Sequence, residues 1–251
     1  RAATLSARDK GGRVTIVAGI DGCKGGWLIV AGPPFRFAAA EARIAGSLET
    51  AEGMAMTVID MPVGLTATQA EPRRTDAAAR AFLRARNAEG HASPGSRVFP
   101  PPSRAALRLY RAGHGYHALN RGLDGPKLSQ QAYHITGKID ALDLWMTPDR
   151  QKQAREGHPE VAFAALTGRT LPPKKSREGA VARDAALSEL GFDLAALAAS
   201  LGPRNRRWGM DDLRDACVLA WVAARVLSGE HVTLPDDPGT DARGLQMEIV
   251  A

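Results

Sequence analysis

Five acids in this chain stand where a carboxylate can do chemistry: Asp21, Asp60, Glu160, Asp212 and Asp215. Asp21 lies in Val17-Ala18-Gly19-Ile20-Asp21-Gly22-Cys23-Lys24-Gly25-Gly26-Trp27, where an apolar run stops on an acid and a glycine-rich turn. An Asp-Gly turn taken alone commonly caps backbone amides. Here the pattern recurs, because Met56-Thr57-Val58-Ile59 also runs into an acid, Asp60, closed by proline and glycine. Asp212 and Asp215 are spaced i,i+3 in a late helical pattern, so they are neighbours on one face. Asp211 and Asp212 suit a helix N-terminus, whereas Asp215 lies a turn further in, directly before core residues. Converging carboxylates cannot all ionise without a cation. Hard divalent ions take oxygen ligands, so Mg²⁺ or Mn²⁺ is the expected cofactor. Two such ions about 3.5–4 Å apart would suit phosphodiester cleavage.

The elements that must position these acids follow from hydrophobic period. Val14, Ile16, Val17 and Ile20 predict a buried strand, and Trp27-Leu28-Ile29-Val30 its hairpin partner. A third strand is expected over 35–44, a short helix over 46–54 with Ser47 as N-cap, and a fourth strand ending at Asp60. Helices are expected over 75–86, 103–112 and 129–145, with loop between 91 and 103, where prolines crowd. Together they form a helical insertion at about 70–150. A short strand then leads through His158-Pro159-Glu160 into a helix. Helices over 178–190, 194–201 and 211–227 follow, the last with one apolar face. The expected organisation is a flexible tail over 1–13, a single domain over 14–230 and a C-terminal tail over 231–251.

Composition narrows the class. A chain of 251 residues with 44% hydrophobic content can bury a full core. It reads as a soluble globular protein with no apolar run of membrane-spanning length, no membrane partner, and a cytoplasmic location by default. Two cysteines, Cys23 and Cys217, make neither a disulfide framework nor a zinc site. The formal charge of +6 points to an anionic partner. It is concentrated, since ten arginines between Arg73 and Arg121 stand against two acids, Asp76 and Glu89. Either this is an arginine-rich solvated surface or the window meets phosphates. Trp27, Trp145, Trp208 and Trp221 sit in core-like patterns, so no stacking platform for single strands is expected.

The ordered set Gly19-Ile20-Asp21-Gly22-Cys23-Lys24-Gly25-Gly26-Trp27, Ile59-Asp60-Met61-Pro62-Val63-Gly64-Leu65, Val98-Phe99-Pro100, Leu128-Ser129-Gln130-Gln131, His158-Pro159-Glu160, Lys174-Lys175 and Asp211-Asp212-Leu213-Arg214-Asp215-Ala216 resembles the DUF429 family, predicted nucleases of the ribonuclease H-like superfamily. The motifs span roughly 14–226. The resemblance implies an α/β fold, a ribonuclease H-like mixed sheet flanked by helices with a helical insertion after the fourth strand. It puts Asp21 in the first-strand metal position, Asp60 in the fourth-strand position, and Asp212 with Asp215 in the place of the C-terminal helix acids of junction-resolvase relatives. Glu160 becomes a metal ligand or a group that orients one. Lys24 stands where arginine is common, and Thr75 where cysteine is expected.

The resulting expectation is a metal-dependent nuclease acting on DNA or RNA. Asp21, Asp60, Asp212 and Asp215 hold metal, Glu160 completes the catalytic set, and Lys24, Arg97, Lys174 and Lys175 contact phosphates. His158 either assists proton transfer or is structural. A homodimer would suit a symmetric substrate. Two alternatives stand beside this reading. One is a nucleic-acid-binding protein without catalysis. The other is an actin-like or sugar-kinase phosphotransferase, which would need a second phosphate loop and an adenosine-binding Gly-Gly segment that the sequence lacks.

Overall fold

The computed structural model describes residues 14–88, 90–91 and 94–251, so the tail expected over 1–13 lies outside the described residues. Five strands form a mixed sheet: β1 (Val17–Cys23), β2 (Gly26–Gly32), β3 (Glu41–Ala45), β4 (Met56–Ile59) and β5 (Ala154–Glu156). Their order is β3-β2-β1-β4-β5, with β1 in the middle. β2 runs antiparallel to β1 and β3, while β4 and β5 add in parallel.

Helices cover both faces, which is why β1, β2 and β4 read as nearly continuous apolar runs. The two-residue alternation of β1 divides its side chains. Val17, with Leu28, Val30 and Val58, packs against the long helix Met210–Ser228, and Ala18, Ile20, Ile29 and Ile59 pack against Leu107, Ile139 and Leu142 on the other face. Between β4 and β5 lie the helices Arg74–Ala85, Arg104–Arg111, Tyr116–Arg121, Gln130–Trp145 and Pro148–Gln151, where the helical insertion was expected. Ser103 and Ser129 cap two of them through their side-chain oxygens. All four tryptophans are buried. Among the described residues no helix is long and apolar enough to cross a membrane.

Three expectations are corrected. The third strand is shorter and later than 35–44, because Phe37 turns inward in a one-turn 3-10 helix and stacks on Phe192 at 4.4 Å. The helix expected over 46–54 is a single 3-10 turn, Leu48–Ala51, and Ser47 makes no side-chain cap. Residues 231–251 are not a loose tail. Two short strands, β6 (Thr233–Leu234) and β7 (Ile249–Val250), pair with each other, and Val250 bridges Gly157 beside β5. Leu245, Glu248, Ile249 and Ala251 are buried. Arg155 pairs with Glu248, and Thr75 donates a 2.6 Å hydrogen bond to the Met247 carbonyl. A patternless segment is thus held by a few apolar anchors without regular period, Leu234, Leu245, Ile249 and Ala251, together with these polar contacts.

Candidate metal centre

The sheet and the long helix bring three of the five acids together. Asp60 directly follows β4, and its amide donates to the Ile20 carbonyl at 2.9 Å, so Asp21 and Asp60 stand side by side at the ends of two parallel strands. Asp21 shares a face of β1 with Gly19, and that face meets the helix Met210–Ser228. A Cβ on Gly19 would come within 2.2 Å of the Ala220 nitrogen, so glycine is what lets strand and helix backbones approach. Asp215 points into the same space, and one carboxylate oxygen from each of Asp21, Asp60 and Asp215 lies within 4.8 Å of the others.

These carboxylates are expensive to ionise. Burial, with repulsion from Asp60, Asp215 and Asp212, drives Asp21 well above the usual carboxylate range. Burial pushes Asp60 and Asp215 up to about 6 against the pull of Lys174. Lys174 Nζ lies 2.8 Å from Asp215 Oδ2. Burial opposes its charge, but Asp215, Asp60 and Asp21 together hold its pKa above the ordinary lysine value. An all-oxygen set of mutually repelling acids, already gripping one ammonium, fits a hard divalent cation.

The remaining expected residues divide. Asp212 lines the same cleft and its side chain meets Asp21, while its Oδ2 accepts the Gly209 amide at 2.8 Å and closes the helix N-terminus. Of the two roles expected for Glu160, ligand or orienting group, its contacts favour the second. Its two oxygens are taken by Arg97 at 2.7 Å and Arg183 at 2.8 Å, it lines the same cleft, and its charge acts on Asp60 and Asp215. Arg97 lines the cleft, where its Nη1 holds Glu160 and the Leu171 carbonyl while its buried Nη2 has no hydrogen-bond partner. Lys24 is exposed on the β1–β2 turn, outside the cleft lining. Lys175 is exposed at the cleft. Burial lowers the pKa of His158, whose ring is tied to the Arg97 backbone.

Much of the arginine window is also spent internally. Arg73 pairs with Glu156 and Asp76, Arg104 with Asp143 and Asp241, and Arg111 with Asp140 and Asp143. Most of those acids lie outside the window in sequence, so a local charge count could not find them. Arg74, Arg84, Arg108 and Arg121 remain exposed.

Sequence reasoning passed over Glu156. It ends β5 opposite Ile59, the residue before Asp60, so a third strand also ends on an acid. Its Oε2 accepts the Val63 amide at 2.7 Å, and Arg73 binds both its oxygens as well as the Val63 and Gly64 carbonyls. This buried network fixes the turn that follows Asp60. The recurring strand-end acid was the available signal.

The cleft has a volume of ≈ 540 Å³. Asp21, Asp60, Asp212, Lys174 and Lys175 line it, as do Phe99, Gln131 and Ile135. Phe99 is 47% exposed, an aromatic surface that the tryptophan pattern did not reveal.

A sequence model of the family described as "Protein of unknown function (DUF429)" matches residues 19–240. No curated protein and no solved structure matches the chain.

Proposed function

The chain belongs to the DUF429 family, and from the geometry of its carboxylate centre we propose that it is a metal-dependent nuclease hydrolysing phosphodiester bonds of DNA or RNA. The observation that carries this is the convergence of Asp21, Asp60 and Asp215 within 4.8 Å, from two strand ends and a helix, with Asp21 and Asp60 lining a cleft. The sheet order β3-β2-β1-β4-β5, with the first acid on the central strand and the last on a helix packed across it, supports the ribonuclease H-like reading of the fold.

Bound Mg²⁺ or Mn²⁺ would supply an activated water and stabilise the charge that develops on the leaving oxygen. The chain's own residues do the rest. Asp21, Asp60 and Asp215 hold the cation. Asp212 adds negative potential while keeping the helix end closed. Glu160, clamped by Arg97 and Arg183 at the cleft, is a positioning residue beside the acids. Lys175 and the exposed arginines offer a sequence-blind attraction for a phosphate backbone. Phe99 at the cleft supplies a face on which a base can stack.

The test is incubation of the purified chain with labelled nucleic acids and Mn²⁺, with and without a chelator. Products that vanish on chelation are expected. Products indifferent to chelation would overturn the metal-dependent reading.

A further inference from the structure

Lys174 is not a loose surface lysine. Its loop is pinned on both sides. Arg97 donates to the Leu171 carbonyl at 2.9 Å and Arg183 to the Pro172 carbonyl at 2.9 Å, the same two arginines that clamp Glu160. The Ser176 amide returns to the Pro173 carbonyl at 2.9 Å, and the following helix presses on that carbonyl at Gly179, where a Cβ would stand 2.2 Å away. The pinned backbone sets Lys174 beside the acids, and its side chain, 41% exposed, reaches Asp215, a carboxylate that is 2% exposed.

We infer that Lys174 fills one cation position of the carboxylate centre, so that the chain binds a single divalent ion with the ammonium in place of a second. The inference rests on the metal-dependent reading above and specifies the composition of that same site.

Ligand atoms limit the centre in the same direction. Both oxygens of Glu160 are committed to arginines, Asp212 Oδ2 to the Gly209 amide, and Asp215 Oδ2 to Lys174. That leaves Asp21, Asp60 and the second oxygens of Asp215 and Asp212. Such a set suffices for one small hard ion, which retains several waters and needs only one or two carboxylates. A pair of ions about 3.5–4 Å apart would have to share or compete for Asp215 with an ammonium already 2.8 Å from it. Like charges at that range repel, so the second ion enters only where the lysine charge is gone.

The test is a Mn²⁺ titration of the purified chain, followed by calorimetry and by the paramagnetic resonance signal of free and bound ion. The wild type is expected to bind one Mn²⁺ per chain. Lys174→Met, similar in length and uncharged, is expected to bind two, with the spectrum of a coupled pair, and Lys174→Arg to return the count to one. Lys174→Gln provides the same comparison should the methionine variant fail to fold. Two ions in the wild type would overturn the inference while leaving the metal-dependent reading intact. A count of one in both uncharged variants would overturn it equally. No Mn²⁺ bound by the wild type would overturn the metal-dependent reading itself, and this inference with it.

Discussion

Gly19 on β1 faces Ala216 on the long helix so closely that a Cβ on Gly19 would stand 2.0 Å from the Ala216 carbonyl oxygen. Asp21 lies two residues beyond one partner and Asp215 one residue before the other, so this backbone contact sets the distance between two of the three acids. Gly19→Ala forces apart backbones that cannot yield by changing rotamer. It is expected to cost more than about 3 kcal/mol, at the upper end for overpacking. Gly46→Ala, with nothing within 4 Å of the added carbon, is the control and should stay within about 0.5 kcal/mol. Urea denaturation of both variants checks this.

Arg73 and Glu156 form a buried pair beneath the turn after Asp60. Removing one partner strands the other charge, so Arg73→Met or Glu156→Leu alone should destabilise the fold by about 3–5 kcal/mol. The double variant should lose less than the sum of the two. A double-mutant cycle by chemical denaturation reads this. Additive losses would mean that the pair is not coupled.

The acids of the centre should make the metal-free protein less stable as pH rises. Asp60 and Asp215 are raised to about 6 in the folded chain from an ordinary 3.8. Between roughly pH 4 and 6 the folded state therefore keeps protons that the unfolded state has lost, and stability falls with pH across that window. Asp60→Asn should remove part of that slope and stabilise the chelator-treated protein at pH 7.5, by about 1 kcal/mol. Denaturation in chelator from pH 4 to 8, wild type against variant, gives the answer. A variant less stable than wild type at pH 7.5 would contradict the electrostatic account.

Glu160 and Asp60 should separate stability from metal affinity. Glu160→Gln weakens the clamp on Arg183, which is 1% exposed, and should cost about 3 kcal/mol of stability. Its effect on Mn²⁺ affinity should be about tenfold, the low end for a group outside the ligand set. Asp60→Asn should lose at least about a hundredfold in affinity while folding well. Calorimetric Mn²⁺ titrations beside thermal melts distinguish the two patterns.

What was legible in the sequence follows a physical division. Apolar period and strand-end acids reported β1, β2, β4, the long helix and the positions of Asp21, Asp60 and Asp215, because core burial writes itself into local pattern. The partners of charged groups were not legible. Arg73 meets Glu156, Arg97 meets Glu160 and Arg104 meets Asp143 across long sequence separations, so part of the basic window is neutralised inside the fold. Glu160 stayed open between a ligand and an orienting group because only the fold reveals that two arginines hold it. The C-terminal segment was missed in part for the same reason, since Glu248 and the Met247 carbonyl bind through polar contacts to distant residues.

The measurement closest to the central claim is the cleavage rate on labelled duplex DNA, single strands, an RNA–DNA hybrid and a four-way junction in Mn²⁺ or Mg²⁺, for wild type and Asp21→Asn. The account predicts metal-dependent cleavage of at least one substrate by the wild type and a loss of about a hundredfold or more in the variant, since the ion's contribution of several kcal/mol goes with its ligand. Wild type that binds these substrates but cuts none, with no thermal stabilisation by Mn²⁺, would contradict it and leave a nucleic-acid-binding protein without catalysis.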